Sequence, residues 1–105
     1  VADSFTQALA TAAVEGLSGA GWEVEVLDLA AIGFRAAMSA EELVAYRTEG
    51  LPPDPMAAAH AGLVARATAL VFVYPTWWSG LPAILKGWLE RVLVTGVAFR
   101  LDPRT

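Results

Sequence analysis

Residues 69–91 read ALVFVYPTWWSGLPAILKGWLER, and this stretch decides the fold of the chain. It opens with successive apolar residues, and an unalternated run of this kind is typical of a strand buried on both faces of a parallel sheet. Pro75 cannot donate a hydrogen bond to a neighbouring strand, and Pro82 suits the start of a helix. The sequence therefore predicts three successive elements: a strand over 69–74, a loop over 75–81 and a helix over 82–94.

Periodicity and capping residues predict the other elements of the chain. They are a helix over 5–17, a strand over 22–29, a short helix over 39–47, a helix over 54–68 and a short extended segment over 97–101. Ser39 and Glu42 have the spacing of a capping box, and Asp54 followed by Pro55 is a typical helix start. Alternating helices and strands are typical of a doubly wound parallel α/β sheet.

Two strands are too few for such a sheet, and a helix opens the chain with no strand before it. We therefore expect residues 1–105 to be a single, partial domain. The first strand of the sheet would lie upstream of this sequence, and its C-terminal strands downstream.

Composition excludes several classes of function. The net charge is −4 and the seven Lys and Arg residues are scattered, so we expect no nucleic-acid binding. The sequence has no cysteine and no apolar run of the ~18 residues that a membrane span needs. Signal-peptide features are also missing, and we expect a cytoplasmic protein.

The loop after the second predicted strand has the features of a ligand site. It contains a proline, two adjacent tryptophans, two hydroxyl residues and a glycine: Pro75, Thr76, Trp77, Trp78, Ser79 and Gly80. Adjacent side chains at a strand end point in different directions, so at least one tryptophan is expected to face a cleft. Indole surface, backbone N–H groups and a rigid backbone together suit a planar aromatic ligand at the carboxyl end of a strand.

Two further positions have competing interpretations. Ser4 and Phe5 precede a helix, where a hydroxyl and backbone N–H groups can bind a phosphate, but Ser4 also suits an ordinary N-cap. His60 has no second ligand at metal spacing, and we interpret it as a surface or partner-facing residue. Lys86, Glu90 and Arg91 are predicted to lie opposite the apolar stripe of the last helix. No catalytic constellation of acids and bases can be assembled, which favours chemistry carried by a bound cofactor.

Residues 73–93, reading VYPTWWSGLPAILKGWLERVL, and the following GVAF at 96–99 resemble the flavodoxin-like NAD(P)H:quinone oxidoreductases. That group includes the DT-diaphorase type, the modulator-of-drug-activity type and the ancillary subunits of potassium-efflux systems. Ser4 and Phe5 before a helix are similar to the end of the family's first phosphate-binding loop.

The resemblance implies a flavodoxin-like sheet of order 2-1-3-4-5, bound FMN or FAD, and a homodimer. It also implies hydride transfer from NAD(P)H through the flavin to a quinone-like acceptor. Residues matching the family's flavin contacts are Ser4, Phe5, Pro75, Thr76, Trp77, Trp78, Ser79 and Gly80. Ser79 stands where some relatives carry an aromatic residue, and the family's first strand has no counterpart in this sequence.

Two alternatives to the enzyme remain open at this point. The first is a flavin-binding regulatory subunit that acts through a protein partner such as a potassium-efflux system. The second is an inactive structural fragment.

Overall fold

The computed structural model describes residues 4–46, 52–76 and 79–94, and this part of the chain contains four α-helices. They are α1 (Phe5–Gly19), α2 (Ala40–Ala45), α3 (Pro55–Arg66) and α4 (Ala83–Val92). All four predicted helices are confirmed, with α3 and α4 each ending two residues earlier than predicted. The end of the predicted 39–47 helix and the segment 97–101 lie outside the described residues.

Side-chain caps begin three of the helices, as their sequences predict. Ser4 Oγ accepts the N–H of Gln7 at 3.0 Å, and Asp54 Oδ2 accepts the N–H of Ala57 at 3.0 Å. At α2 the capping box is complete, because Ser39 Oγ accepts the N–H of Glu42 and Glu42 Oε1 accepts the N–H of Ser39. These bonds satisfy N–H groups that have no partner within a helix.

The two predicted strands are not confirmed, since no strand is assigned in 4–46, 52–76 or 79–94. The prediction that 69–74 is buried on both faces is wrong for this structure, in which Val71 is 61% exposed and Leu70, Phe72 and Tyr74 are exposed too. A strand is buried on both faces only when helices cover a sheet in which it is paired. Within the described residues neither 22–29 nor 69–74 has such a neighbour.

The core lies where α3 and α4 pack on residues 30–38, the connector that precedes α2. Its buried apolar members come from the connector, α3 and α4: Phe34, Ala57, Ala61, Trp88 and Val92. Partly buried residues surround them: Leu27, Leu29, Val64, Ile84, Leu89 and Leu93. Small alanines on α3 let the large Trp88 ring of α4 fit against that helix.

Gly87 permits a close approach between α4 and the connector. A Cβ atom added at Gly87 would overlap the Cα and the carbonyl oxygen of Ala36. Because backbone atoms cannot move aside as a side-chain tip can, this contact requires glycine.

The apolar face of α1 is not covered. Phe5 is 78% exposed, Leu9 is also exposed, and α1 has no buried residue. An amphipathic helix gains most of its stability by packing that face against another element. In the described ranges this face of α1 has no such cover.

Each helix in the described part of the chain is too short or too polar to cross a lipid bilayer.

Candidate functional site

The loop 75–80 leads into α4, and its described residues are open to solvent. Pro75, Thr76, Ser79 and Gly80 are all exposed. Trp77 and Trp78 lie outside the described residues, so the prediction that one of them faces a ligand stays a prediction. The position of the loop directly before α4 agrees with the predicted order of elements.

Ser79 has a strained backbone conformation. Its φ of 60° makes it the one non-glycine residue with positive φ among the described residues. A side chain in this left-handed region costs roughly 1–2 kcal/mol, and such strain is found preferentially at functional sites. Ser79 and the glycine that follows it therefore form a turn whose shape the local sequence alone does not favour.

Ser4 and Phe5 lie at the N-terminus of α1. Ser4 has the ordinary N-cap role, because its Oγ accepts the N–H of Gln7 and its carbonyl accepts the N–H of Ala8 at 3.0 Å. A cap of this kind is compatible with the first free N–H groups of the helix facing an anion. In 4–46, 52–76 and 79–94, no hydrogen bond or ring contact joins Ser4 or Phe5 to the loop 75–80. That the two predicted halves form one site therefore stays a prediction.

Trp88 lies behind the loop, in the core. Its side chain is 4% exposed, and its Nε1 donates a hydrogen bond to Nδ1 of His60 at 3.1 Å. Phe72, three residues before Pro75, meets the Trp88 ring edge-on with the centroids 6.0 Å apart. Trp88 therefore contacts the segment that enters the loop and itself belongs to the helix that leaves it.

The interpretation of His60 as a surface or partner-facing residue is wrong. His60 is 6% exposed, and its ring stacks on Phe34 with the centroids 5.7 Å apart. It occupies the same face of α3 as the buried Ala57 and Ala61. That spacing of three and four residues was the sequence feature that could have placed His60 in the core.

The prediction that Arg91 lies on the exposed face of α4 is also wrong. Its side chain is 2% exposed, and Nε donates to both carboxylate oxygens of Glu42, at 2.9 and 3.1 Å. Nη1 donates to the carbonyl of Arg35, and the guanidinium lies 4.8 Å from the centre of the Phe34 ring. Lys86 and Glu90 are exposed as predicted.

The second terminal nitrogen of Arg91 is less well satisfied. Nη2 is buried and lies 3.3 Å from Asp54 Oδ2, but it makes no hydrogen bond of good geometry within the described residues. One guanidinium thus links α4 to α2, to the N-cap of α3 and to the connector. We call Arg91, Glu42 and Asp54 the buried ionic cluster.

Burial, hydrogen bonds and charge shift three pKa values in and beside this cluster. Burial acts to raise the pKa of Glu42, but hydrogen bonds from Arg91 and Ser39 outweigh it and hold the pKa below its usual value. The hydrogen bond from the Ala57 N–H is the main cause of a lowered pKa for Asp54, with Arg91 adding to it against the effect of burial. Burial, and then the charge of Arg91, lowers the pKa of His60, while Asp54 acts in the opposite direction.

The cluster is not a metal site. Among the described residues, no group of three or more His, Asp or Glu side chains is arranged to hold an ion. Arg91 pairs with both carboxylates of the cluster, so the cluster holds α2, α3 and α4 together.

Comparison with known proteins identifies the family. The family model described as flavodoxin-like fold matches residues 1–105. The chain belongs to this flavodoxin-like family. The fold is supported by a solved structure, an NAD(P)H:quinone oxidoreductase from Methanothermobacter marburgensis, with a TM-score of 0.87 and 39% identity over 96% of this chain and 52% of that one.

Curated relatives carry related names. NAD(P)H dehydrogenase (quinone) 1 of Rattus norvegicus is 37% identical over 91% of this flavodoxin-like chain and 40% of its own length. A Haemophilus influenzae protein named uncharacterized NAD(P)H oxidoreductase is 35% identical over 94% of the chain and 48% of its own length. The chain therefore spans about half the length of the curated relatives it matches or less.

Proposed function

We propose that the protein containing this chain is a flavin-dependent oxidoreductase that transfers hydride from NAD(P)H to a quinone-like acceptor. The observation that carries the proposal is membership of a family whose matching relatives are named for this reaction. The exposed loop before α4 adds a structural reason, because it combines the residues that the resemblance assigns to flavin contact.

The described part of the loop fits a flat ring system. Gly80 has no side chain, so its backbone N–H can approach a ring closely. Pro75 restricts the backbone where the loop begins, and Ser79 is held in a left-handed conformation beside Gly80. A bound flavin would supply the hydride-accepting and hydride-donating chemistry that side chains do not offer.

Each part of the proposed site has a separate task. The backbone N–H groups at the loop would bind the polar edge of the ring, and Trp77 and Trp78 would supply an apolar wall. Ser4 and Phe5 at the start of α1 would bind the phosphate through free helix N–H groups. We assign no acid or base role to this chain, so its contribution is binding, orientation and exclusion of water.

The remaining features of the proposal concern the whole protein. In the sheet order 2-1-3-4-5, residues 22–29 and 69–74 would be the second and third strands, each paired with a first strand between them. Either FMN or FAD is compatible with the loop. A homodimer located in the cytoplasm completes the proposal.

Purification of the full-length protein tests this function. A yellow preparation with flavin absorbance and NAD(P)H-dependent reduction of a quinone is expected. Colourless protein that takes up neither FMN nor FAD would contradict the proposal. Bound flavin with negligible turnover, together with a stable channel partner, would instead favour the regulatory subunit.

A pair of variants tests the place of the flavin. Trp78→Ala is expected to weaken flavin retention strongly, because stacking on an aromatic wall is lost. Trp22→Ala is the matched control, since Trp22 is half exposed and far from the loop in sequence. Equal retention in both variants, measured by equilibrium dialysis, would remove Trp78 from the site.

A further inference from the structure

The hydrogen bond and the burial of His60 favour its neutral form. Its Nδ1 accepts the hydrogen bond from Trp88 Nε1, so Nδ1 carries no proton and the neutral ring carries its proton on Nε2. A protonated imidazole has donors at both nitrogens. Protonation would therefore set the Nδ1–H against the indole N–H of Trp88, and both groups are buried.

The surrounding charges also disfavour a protonated His60. Arg91 of α4 is the nearby cation, and Asp54 at the start of α3 is the opposing carboxylate. That carboxylate is already shared with Arg91 Nη2, and Glu42 of α2 is bound to Arg91 Nε. Phe34 of the connector covers the ring. Burial, and then the charge of Arg91, lowers the pKa of His60, and both effects favour the neutral ring.

Trp88 connects His60 to the two segments that flank the loop 75–80. The indole contacts Phe72, which precedes the loop by three residues, and it belongs to α4, which begins three residues after Gly80. The loop between these points includes the strained Ser79. A shift of the Trp88 ring would change its contact with Phe72 before the loop and its packing within α4, which follows the loop.

We propose that neutral His60 is a positioning residue for the loop 75–80, and that protonation of His60 in mild acid releases Trp88 and weakens flavin binding. The flavin in this inference rests on the proposed function, whereas the contacts of His60 and Trp88 do not depend on it. His60 touches neither flavin nor substrate in this proposal and acts only through Trp88.

The test measures FMN affinity of the full-length apoprotein by flavin fluorescence between about pH 7.5 and about pH 5. In the wild type the dissociation constant should rise by about tenfold over this range, because a buried donor loses its acceptor. His60→Asn is the decisive variant, since its amide oxygen can accept at the same position without titrating. At the higher pH this variant should bind FMN with the affinity of the wild type. Its dissociation constant should show little of the rise that the wild type shows in acid.

FMN itself changes charge near pH 6, and this effect is common to both proteins. The difference between their pH profiles therefore isolates His60. Identical profiles in the wild type and His60→Asn would overturn the proposal.

His60→Phe is the second variant, because it keeps a buried ring and removes the acceptor. It should bind FMN about tenfold more weakly at every pH, under conditions in which denaturation curves show that it is folded. A folded His60→Phe protein with wild-type affinity would mean that His60 supports stability only, and would overturn the positioning role.

A second readout separates this inference from the proposed function. If the wild type binds neither FMN nor FAD, the proposed function fails, and amide hydrogen exchange at Ser79 and Gly80 then tests His60. After correction for intrinsic rates, exchange should be faster in the wild type at the lower pH and unchanged in His60→Asn. An equal change in both proteins would overturn the inference.

Discussion

At the scale of single residues, Gly87 shows how one missing side chain determines a packing distance. Gly87→Ala would place a Cβ atom against the backbone of Ala36, and backbone atoms cannot rotate away. We expect a loss of about 2–3 kcal/mol in the free energy of unfolding, measured by urea denaturation. Gly16→Ala is the control, because a Cβ there meets nothing within 4 Å.

The control should change stability in the opposite direction. Alanine at an exposed position inside α1 favours the helix by about 0.5–1 kcal/mol. Equal effects of the two substitutions would show that the close approach between α4 and the connector is not formed in solution.

The burial of His60 and Arg91 was not predicted from the sequence. Both are polar, and polar residues are mostly exposed, so composition favours the surface for each. Their positions follow from partners distant in sequence, namely Trp88 for His60 and Glu42 for Arg91. Helical spacing places each on a buried face, but it does not reveal the partner that makes burial possible.

At the scale of elements, helices were predictable because their start signals are local. Ser4, Ser39 and Asp54 each accept an N–H three residues onward, as their sequence context predicts. A strand has no comparable local signal, because it is defined by hydrogen bonds to a neighbouring strand. The segments 22–29 and 69–74 have the composition of strands and no paired neighbour within the described residues.

The buried ionic cluster joins α2 to α4, and its removal should loosen that contact. Glu42→Gln leaves the buried Arg91 charge without its carboxylate, and breaking a buried pair in this way costs about 3–5 kcal/mol. Glu41→Gln alters a neighbouring, exposed carboxylate of the same helix and should cost under about 0.5 kcal/mol. Thermal and urea denaturation of both variants would measure the difference, and similar stabilities would show that the cluster contributes little.

Acid should destabilise the packing of α2, α3 and α4 in two stages. Since the folded pKa of His60 is below its unfolded value of about 6.5, stability is full above that pH and falls as the pH decreases below it. The lowered pKa values of Glu42 and Asp54 give a second loss, beginning below about pH 4.5. Urea denaturation as a function of pH should show both stages.

Each stage can be assigned with one variant. His60→Asn should remove the first stage, and Glu42→Gln should reduce the second. A single stage in the wild type, unaffected by His60→Asn, would contradict the assignment of the first stage to His60.

At the scale of the whole molecule, large apolar side chains are exposed on several elements. They lie on α1, on residues 22–29, on α2 and on 69–74, where Phe5, Val26, Val44 and Val71 are examples. Soluble proteins rarely leave large contiguous apolar patches without a partner for them. In a flavodoxin-like sheet the helices cover the strands, so pairing of 69–74 in the proposed sheet would cover both this segment and the apolar face of α1.

Hydrogen exchange of the full-length protein tests this account of the uncovered surface. If 22–29 and 69–74 pair with a strand between them, their amides should exchange as slowly as those in the middle of α4, because ladder amides open only with the surrounding structure. The turn at Ala30 supplies an exposed reference, since this residue is open to solvent. Exchange in 69–74 as fast as in this turn would show that the segment is not a sheet strand, and the sheet order proposed for this chain would then be wrong.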